Sequence, residues 1–222
     1  FHIVGILAFL NYIPYSKHFH IVLAFPNVYY SNLKPKGEFT NLASVTREVK
    51  LMLDPNSVPP AADPNAPPER FGAKDIFDLS GIQLMNAYSC TECGRCTSSC
   101  PANQTGKMLS PRKIMMDTRD RMEEVGKNMD KNGGKFVDDG KSLLFNYITP
   151  EELWACTSCN ACTEECPVNI DPLSIIVDLR RFLVMEQSAA PQELALMMNN
   201  VENNGAPWQF PASDRLNWTS GV

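Results

Sequence analysis

The chain has 222 residues, 44% of them hydrophobic, and a formal net charge of −5. That length allows one or two domains with a sizeable core, and the mild acidity excludes the basic footprint of a nucleic-acid-binding protein. All eight cysteines lie in two short clusters, which excludes a secreted disulfide scaffold, where cysteines are spread through a smaller chain. The chain opens on Phe1 and closes on Val222 without an end signal, so both ends read as cut.

Residues 1–30 are apolar and aromatic, with Lys17 as the only clear charge. The stretch from Phe1 to Ile13 is shorter than the ~20 residues a bilayer span needs, so it reads as the end of a membrane helix that starts earlier. Lys17, Lys34 and Lys36 follow it and put this end on the cytoplasmic side by the positive-inside rule. Residues 32–70 lack apolar periodicity and carry five prolines between Pro59 and Pro68. They read as an extended linker with a short helix near Leu42 to Met52.

From Phe71 the pattern is helical, and residues 71–222 are expected to form one domain without a convincing strand. Ser110-Pro111 starts a helix expected to reach about Val125, and the polar segment Lys127 to Lys141 reads as an exposed loop. Thr149-Pro150-Glu151-Glu152 is a capping box. Asp171-Pro172 caps a helix in which Leu173, Ile176, Leu179 and Leu183 fall at three- and four-residue spacing. A further short helix is expected from Pro191 to Val201.

The cysteines form two copies of Cys-x2-Cys-x2-Cys-x3-Cys-Pro: Cys90, Cys93, Cys96, Cys100 and Cys156, Cys159, Cys162, Cys166. Two-residue gaps let three sulfurs of one tight loop meet three corners of a cubane. The fourth cysteine, held off by proline, ligates the other cluster in two-cluster proteins. The expectation is two [4Fe–4S] clusters with crossed ligands, Cys90, Cys93, Cys96 and Cys166 for one, Cys156, Cys159, Cys162 and Cys100 for the other. A zinc site would use two Cys-x2-Cys pairs and leave the third cysteine idle. Such thiolates need a reducing compartment. The 55 residues between Cys100 and Cys156 favour an all-helical dicluster domain over a compact ferredoxin.

Phe71-Gly72-Ala73-Lys74-Asp75, Tyr88 to Cys96, Cys100-Pro101-Ala102, Thr105-Gly106-Lys107, Leu109 to Lys113 and Trp154 to Pro167 resemble the iron–sulfur proteins related to the C-subunit of heterodisulfide reductase. Asn204-Gly205-Ala206-Pro207-Trp208 resembles their Asn-Pro-Trp-Gly-type element, with Gly205-Ala206 inserted and Gln209 in place of Gly. The resemblance covers about residues 71–215. It implies a mainly α, α-helical ferredoxin fold and a redox partner with cysteine-rich CCG motifs, none of which occurs in this chain.

Of three histidines, His2 and His20 are 18 residues apart, five whole turns of a continuous helix and roughly 27 Å along its axis. His18 lies on another face. The segment His2 to His20, with Ile13-Pro14-Tyr15-Ser16-Lys17, is similar to the last helix of nitrate reductase gamma-type cytochrome b subunits. That resemblance implies that residues 1–31 end a cytochrome b-like membrane domain, with His2 and His20 each giving one axial ligand to a b haem.

Arg112, Lys113, Arg119 and Arg121 read as the solvated side of a helix, with a docking face for an acidic partner as the alternative. The helical methionines read as core filler, and Trp154 as a core aromatic or a cluster shield. No phosphate loop, triad or carboxylate pair marks a substrate site. The function expected is electron relay at the cytoplasmic face of the inner membrane, between a quinone or haem module and a CCG-type partner. The alternatives are the iron–sulfur subunit of a soluble flavin-linked dehydrogenase, and a structural zinc module.

Overall fold

The computed structural model describes residues 1–35, 37–54 and 70–220. Lys36 and the proline run Pro59 to Pro68 lie outside the described residues. The chain divides into two compact units, Phe1–Phe182 and Leu183–Val222. Among the described residues there is no strand, only an isolated bridge between Leu144 and Ile148, and the architecture is all-helical, as expected.

The helices of the first unit are α1 (His2–Tyr12), α2 (His20–Tyr29), α3 (Ala43–Leu53), α4 (Gly81–Ser89), α5 (Arg95–Ser98), α6 (Pro101–Gln104), α7 (Pro111–Lys131), α8 (Pro150–Trp154) and α9 (Ala161–Glu164). A further helix, α10 (Pro172–Met185), runs across the boundary between the units. α7 is the spine: α4 and α5 pack on it, and so does the turn Leu143–Tyr147. Its N-cap is Ser110, whose side chain accepts from the Lys113 amide. It runs six residues beyond the expected end, because its last turns carry helix-tolerant polar residues and a Glu123–Lys127 pair one turn apart. Gly133 and Gly134, both at positive φ, begin the loop. The core comprises Ile114, Met115 and Val125 of α7, Leu143, Leu144, Ile148 and Leu153, and the α10 stripe Leu173, Ile176 and Leu179, all buried.

The continuous helix expected from His2 to His20 does not form. α1 stops at Tyr12, short 3-10 turns follow at Ile13–Tyr15 and Lys17–Phe19, and Ser16 between them is extended (φ −133°, ψ 167°). Pro14 supplies no amide to the helical ladder, and the Ser16 side chain instead caps the next turn through the His18 amide. The common face that would aim His2 and His20 at one neighbour is therefore lost. No helix among the described residues is long and apolar enough to cross a membrane. α1 buries none of its residues, whereas α2 packs against α4.

The basic cluster of α7 is also different from the expected solvated face. Lys113 bonds Asp117 (2.7 Å) and Glu152 (2.9 Å), Arg119 bonds Glu92 (2.6 Å), and Arg121 is fully buried against Asp75 and Asp139. A long polar helix that crosses the centre of a unit must satisfy its charges internally.

In the second unit α11 (Gln192–Asn204) ends at Gly205, which takes the left-handed conformation (φ 63°) that suits a residue without Cβ. A 3-10 turn at Ala212–Thr219 follows, and Arg215 donates to the Asn204 carbonyl (2.7 Å). Leu196, Met197, Met198 and Val201 of α11 are exposed, so Met197 and Met198 are not core filler.

Candidate functional site

Both cysteine runs begin after a capped helix. Ser80 and Gln83 form a capping box at α4, and Thr149 and Glu152 form one at α8. Both then take the same backbone path. Glu92 and Gly94 have positive φ in the first run, and Ser158 and Asn160 have positive φ at the matching places of the second. Such reversals turn successive amides inward, which makes an anion-binding nest. The Ser158 amide donates to the Cys156 sulfur at 3.4 Å, and the Glu92 amide bonds the Cys90 sulfur at the equivalent position. The middle cysteine of each run, Cys93 and Cys159, is exposed, while Cys100 and Cys162 are buried.

The sulfurs fall into two neighbourhoods. Burial raises the Cys90 thiol pKa, the Glu92 amide opposes that, and the Cys166 and Cys93 sulfurs raise it further. Cys96 is raised by burial, opposed by the Thr97 hydroxyl, with Cys90 and Cys93 adding to the rise. In the other group burial raises Cys156, against the Ser158 amide and Arg180, while Cys100 and Cys159 raise it. Burial pushes Cys162 up to about 12, the Thr163 hydroxyl opposes that, and Cys156, Asp171 and Cys96 add to the rise, so the two groups adjoin at Cys162. Cys166 thus stands near Cys90, and Cys100 near Cys156.

A cavity of about 250 Å³ is lined by Cys90, Cys93 and Cys96 of the first run and by Cys162 and Cys166 of the second. It has room for several atoms, since a water occupies ~30 Å³. Among the described residues no three His, Cys, Asp or Glu side chains converge at the spacing of a single metal ion. Five cysteines around a multi-atom cavity, with amides aimed at sulfur in both runs, fit iron–sulfur clusters better than one tetrahedral zinc, which takes four ligands.

His20 and Ala24 of α2 close this cavity from outside. His20 therefore lies beside the sulfurs. His2 and His18 are exposed, and the His18 ring meets Phe9 edge-on at 5.6 Å. Asn27 of α2 donates to the Val168 carbonyl just beyond the second run (2.8 Å). Lys17 reaches Glu92 (3.1 Å), whose carboxyl is held below its usual range by Arg119 first and then Lys17. Trp154 lies under Arg180, 5.0 Å from ring centre to guanidinium carbon.

Several residues in this site escape the cysteine pattern. Thr97 and Thr163, each directly after the third cysteine, bond Ser110 (2.9 Å) and Asp171 (3.1 Å), the residues that precede Pro111 of α7 and Pro172 of α10. Arg119 and Arg180 each stand nine residues after those capping residues. The signal was present as a repeat extending past the cysteines.

Residues 85–170 match the family described as 4Fe-4S dicluster domain. The "Probable iron-sulfur-binding oxidoreductase FadF" of Bacillus subtilis is 31% identical over 98% of this chain and 32% of its own length. The "EtfAB:quinone oxidoreductase" of Syntrophomonas wolfei is 29% identical over 98% of this chain and 30% of its own length. A "Probable membrane-anchored ferredoxin" of Chromohalobacter salexigens is 33% identical over 72% of this chain and 25% of its own length. The C-subunit of a heterodisulfide reductase from Methanosarcina acetivorans is 31% identical over 54% of this chain and 60% of its own length. Residues 85–170 thus match a 4Fe-4S dicluster domain, and the eight cysteines within them supply enough thiolates for two [4Fe–4S] clusters. The resemblance to the heterodisulfide reductase C-subunit holds, and the chain spans about a third of the length of the first two relatives.

Proposed function

We propose that the chain is the iron–sulfur relay of a membrane-anchored oxidoreductase. It passes single electrons between a quinone- or haem-bearing membrane module and a CCG-type redox domain on the cytoplasmic side. Residues 1–31 face the membrane module, 32–70 link, and 71–222 carry the clusters. Cys90, Cys93, Cys96 and Cys166 ligate one cluster, and Cys156, Cys159, Cys162 and Cys100 the other. The observation that carries this reading is the cavity lined by the first three cysteines of the first run together with Cys166, and with Cys162 where the two runs adjoin. The uncovered apolar α1 and the relatives named for quinone and for membrane anchoring support the membrane end.

The bound clusters supply one-electron chemistry. The chain's own residues hold the sulfurs, donate amides to them, and cover the first cavity with α2. Electrons enter and leave at the exposed Cys93 and Cys159 edges.

The test is electron paramagnetic resonance (EPR) on the full-length reduced protein with Cys166→Ala. Loss of one [4Fe–4S] signal, matched by Cys90→Ala and distinct from the signal lost with Cys156→Ala, is expected. If Cys166→Ala and Cys156→Ala remove the same signal, the ligands are not crossed. Metal analysis should give about eight irons and eight labile sulfides per chain. Zinc in their place refutes the relay.

The soluble flavin-linked reading has one observation in its favour, the packing of α2 on α4. Release of the native full-length protein from membranes by a high-salt wash would select it.

A further inference from the structure

The two halves repeat over more than the cysteines. In each, an aromatic residue stands two places before the first cysteine, Tyr88 and Trp154. Two residues with positive φ follow, then a threonine hydroxyl bonded to a helix-capping residue, then an arginine nine residues into that helix. The repeat makes the differences between the halves interpretable.

The main difference is what faces the arginine. In the first half Arg119 is bonded to Glu92 at 2.6 Å, the residue of positive φ between Cys90 and Cys93. In the second half the matching residue is Ser158. The Arg180 guanidinium bonds its hydroxyl (3.4 Å), the Leu153 carbonyl (3.0 Å) and the Cys156 carbonyl, and lies over the Trp154 ring. All these partners are neutral, and among the described residues no carboxylate pairs with Arg180. A full positive charge is therefore held, half-buried, against the Cys156 loop. Arg95 and Arg112 at the first cavity are exposed instead, where water and salt screen them.

We propose that Arg180 is a positioning residue that sets the potential of the centre held by Cys156, Cys159, Cys162 and Cys100, while in the other half Glu92 pairs with the equivalent Arg119 and leaves only the exposed, solvent-screened Lys17 in excess. Adding one electron makes a cluster more negative. A fixed cation close by favours the reduced form and raises the potential. The inference rests on the crossed ligand sets proposed above.

Redox titration of the full-length protein, followed by EPR, tests it. Arg180→Gln makes one of the two signals harder to reduce. The reduced-to-oxidised ratio at fixed poise falls about tenfold, or about 59 mV for one electron, and the other signal stays in place. Ser158→Glu, which copies the first half and keeps the arginine, moves the same signal in the same direction. Arg180→Lys, which keeps the charge, recovers most of the wild-type position. Glu92→Gln moves the other signal upward. Unchanged midpoints in both Arg180→Gln and Ser158→Glu, or equal shifts of both signals, overturn the inference. Loss of the clusters in both variants also overturns it, by giving Arg180 a purely structural role. Absence of two [4Fe–4S] signals from the wild type would fail the ligand reading instead, before any variant is compared.

Discussion

Arg121 shows how one residue can hold a junction. Its side chain is 0% exposed and donates to Asp75 (2.8 and 3.1 Å), Asp139 (2.6 Å) and the Lys141 carbonyl (2.8 Å). Burial opposes its charge, but Asp75 and Asp139 raise its pKa well above the ordinary value. Arg121→Ala leaves two carboxylates without their cation. It should cost about 3–5 kcal/mol in denaturant unfolding of the cluster-loaded protein; a cost under about 1 kcal/mol would show the network to be ornamental. Arg121 also depresses the Asp139 pKa. That contribution is complete above the unfolded carboxylate value of about 3.9 and is lost as pH falls through the lower folded value. Wild-type stability should therefore fall more steeply below about pH 4 than that of Asp139→Asn, as read by thermal unfolding across pH. Gly72 is a second such position. At φ 112°, an added Cβ would stand 2.3 Å from the Phe182 nitrogen and 2.6 Å from the Asp178 oxygen, both backbone. Gly72→Ala should destabilise by about 3 kcal/mol or more, because neither atom can move away.

At the scale of elements, the N-terminal segment is two short helices with different surroundings. α2 is tied to the cluster region by packing on α4, by Asn27 on the Val168 carbonyl and by Lys17 on Glu92. Asn27 is 1% exposed and its Oδ1 has no partner. Asn27→Ala should cost about 1–2 kcal/mol, since it removes the donor to the half-buried Val168 carbonyl. Hydrogen exchange in α2 should then accelerate while α7 is unaffected; no change in α2 would mean that apolar packing alone holds it. α1 keeps Ile3, Val4, Ile6, Leu7 and Leu10 exposed. Its hydrophobicity was legible in the sequence. Its separation from α2 was decided by Pro14 and by the Ser16 cap, whose effect depends on the backbone around them.

At the scale of the whole molecule, the two runs are fastened to each other. Cys166 sits with the first run and Cys100 with the second. Stripping iron should therefore melt much of the helical structure in the cluster domain and not one half of it. Far-UV circular dichroism during chelation should show a single large loss of helix. Two separate losses, or retention of the signal, would mean that α7 and the buried Arg121 network hold the fold without metal.

The sequence by itself determined the repeated cysteine pattern, the helical class and the starts of α7, α8 and α10. Each of these is local: cysteine spacing fixes donor geometry, and Ser110-Pro111, Thr149-Pro150 and Asp171-Pro172 fix helix beginnings within a few residues. The tertiary structure alone decided which charges on α7 face water, how far α7 runs, and that His20 closes a sulfur cavity. It also separated Arg119, paired with Glu92, from Arg180, which faces neutral groups. Those outcomes depend on partners tens of residues away, such as Asp139 for Arg121 and Leu153 for Arg180, and no spacing rule within one segment specifies them.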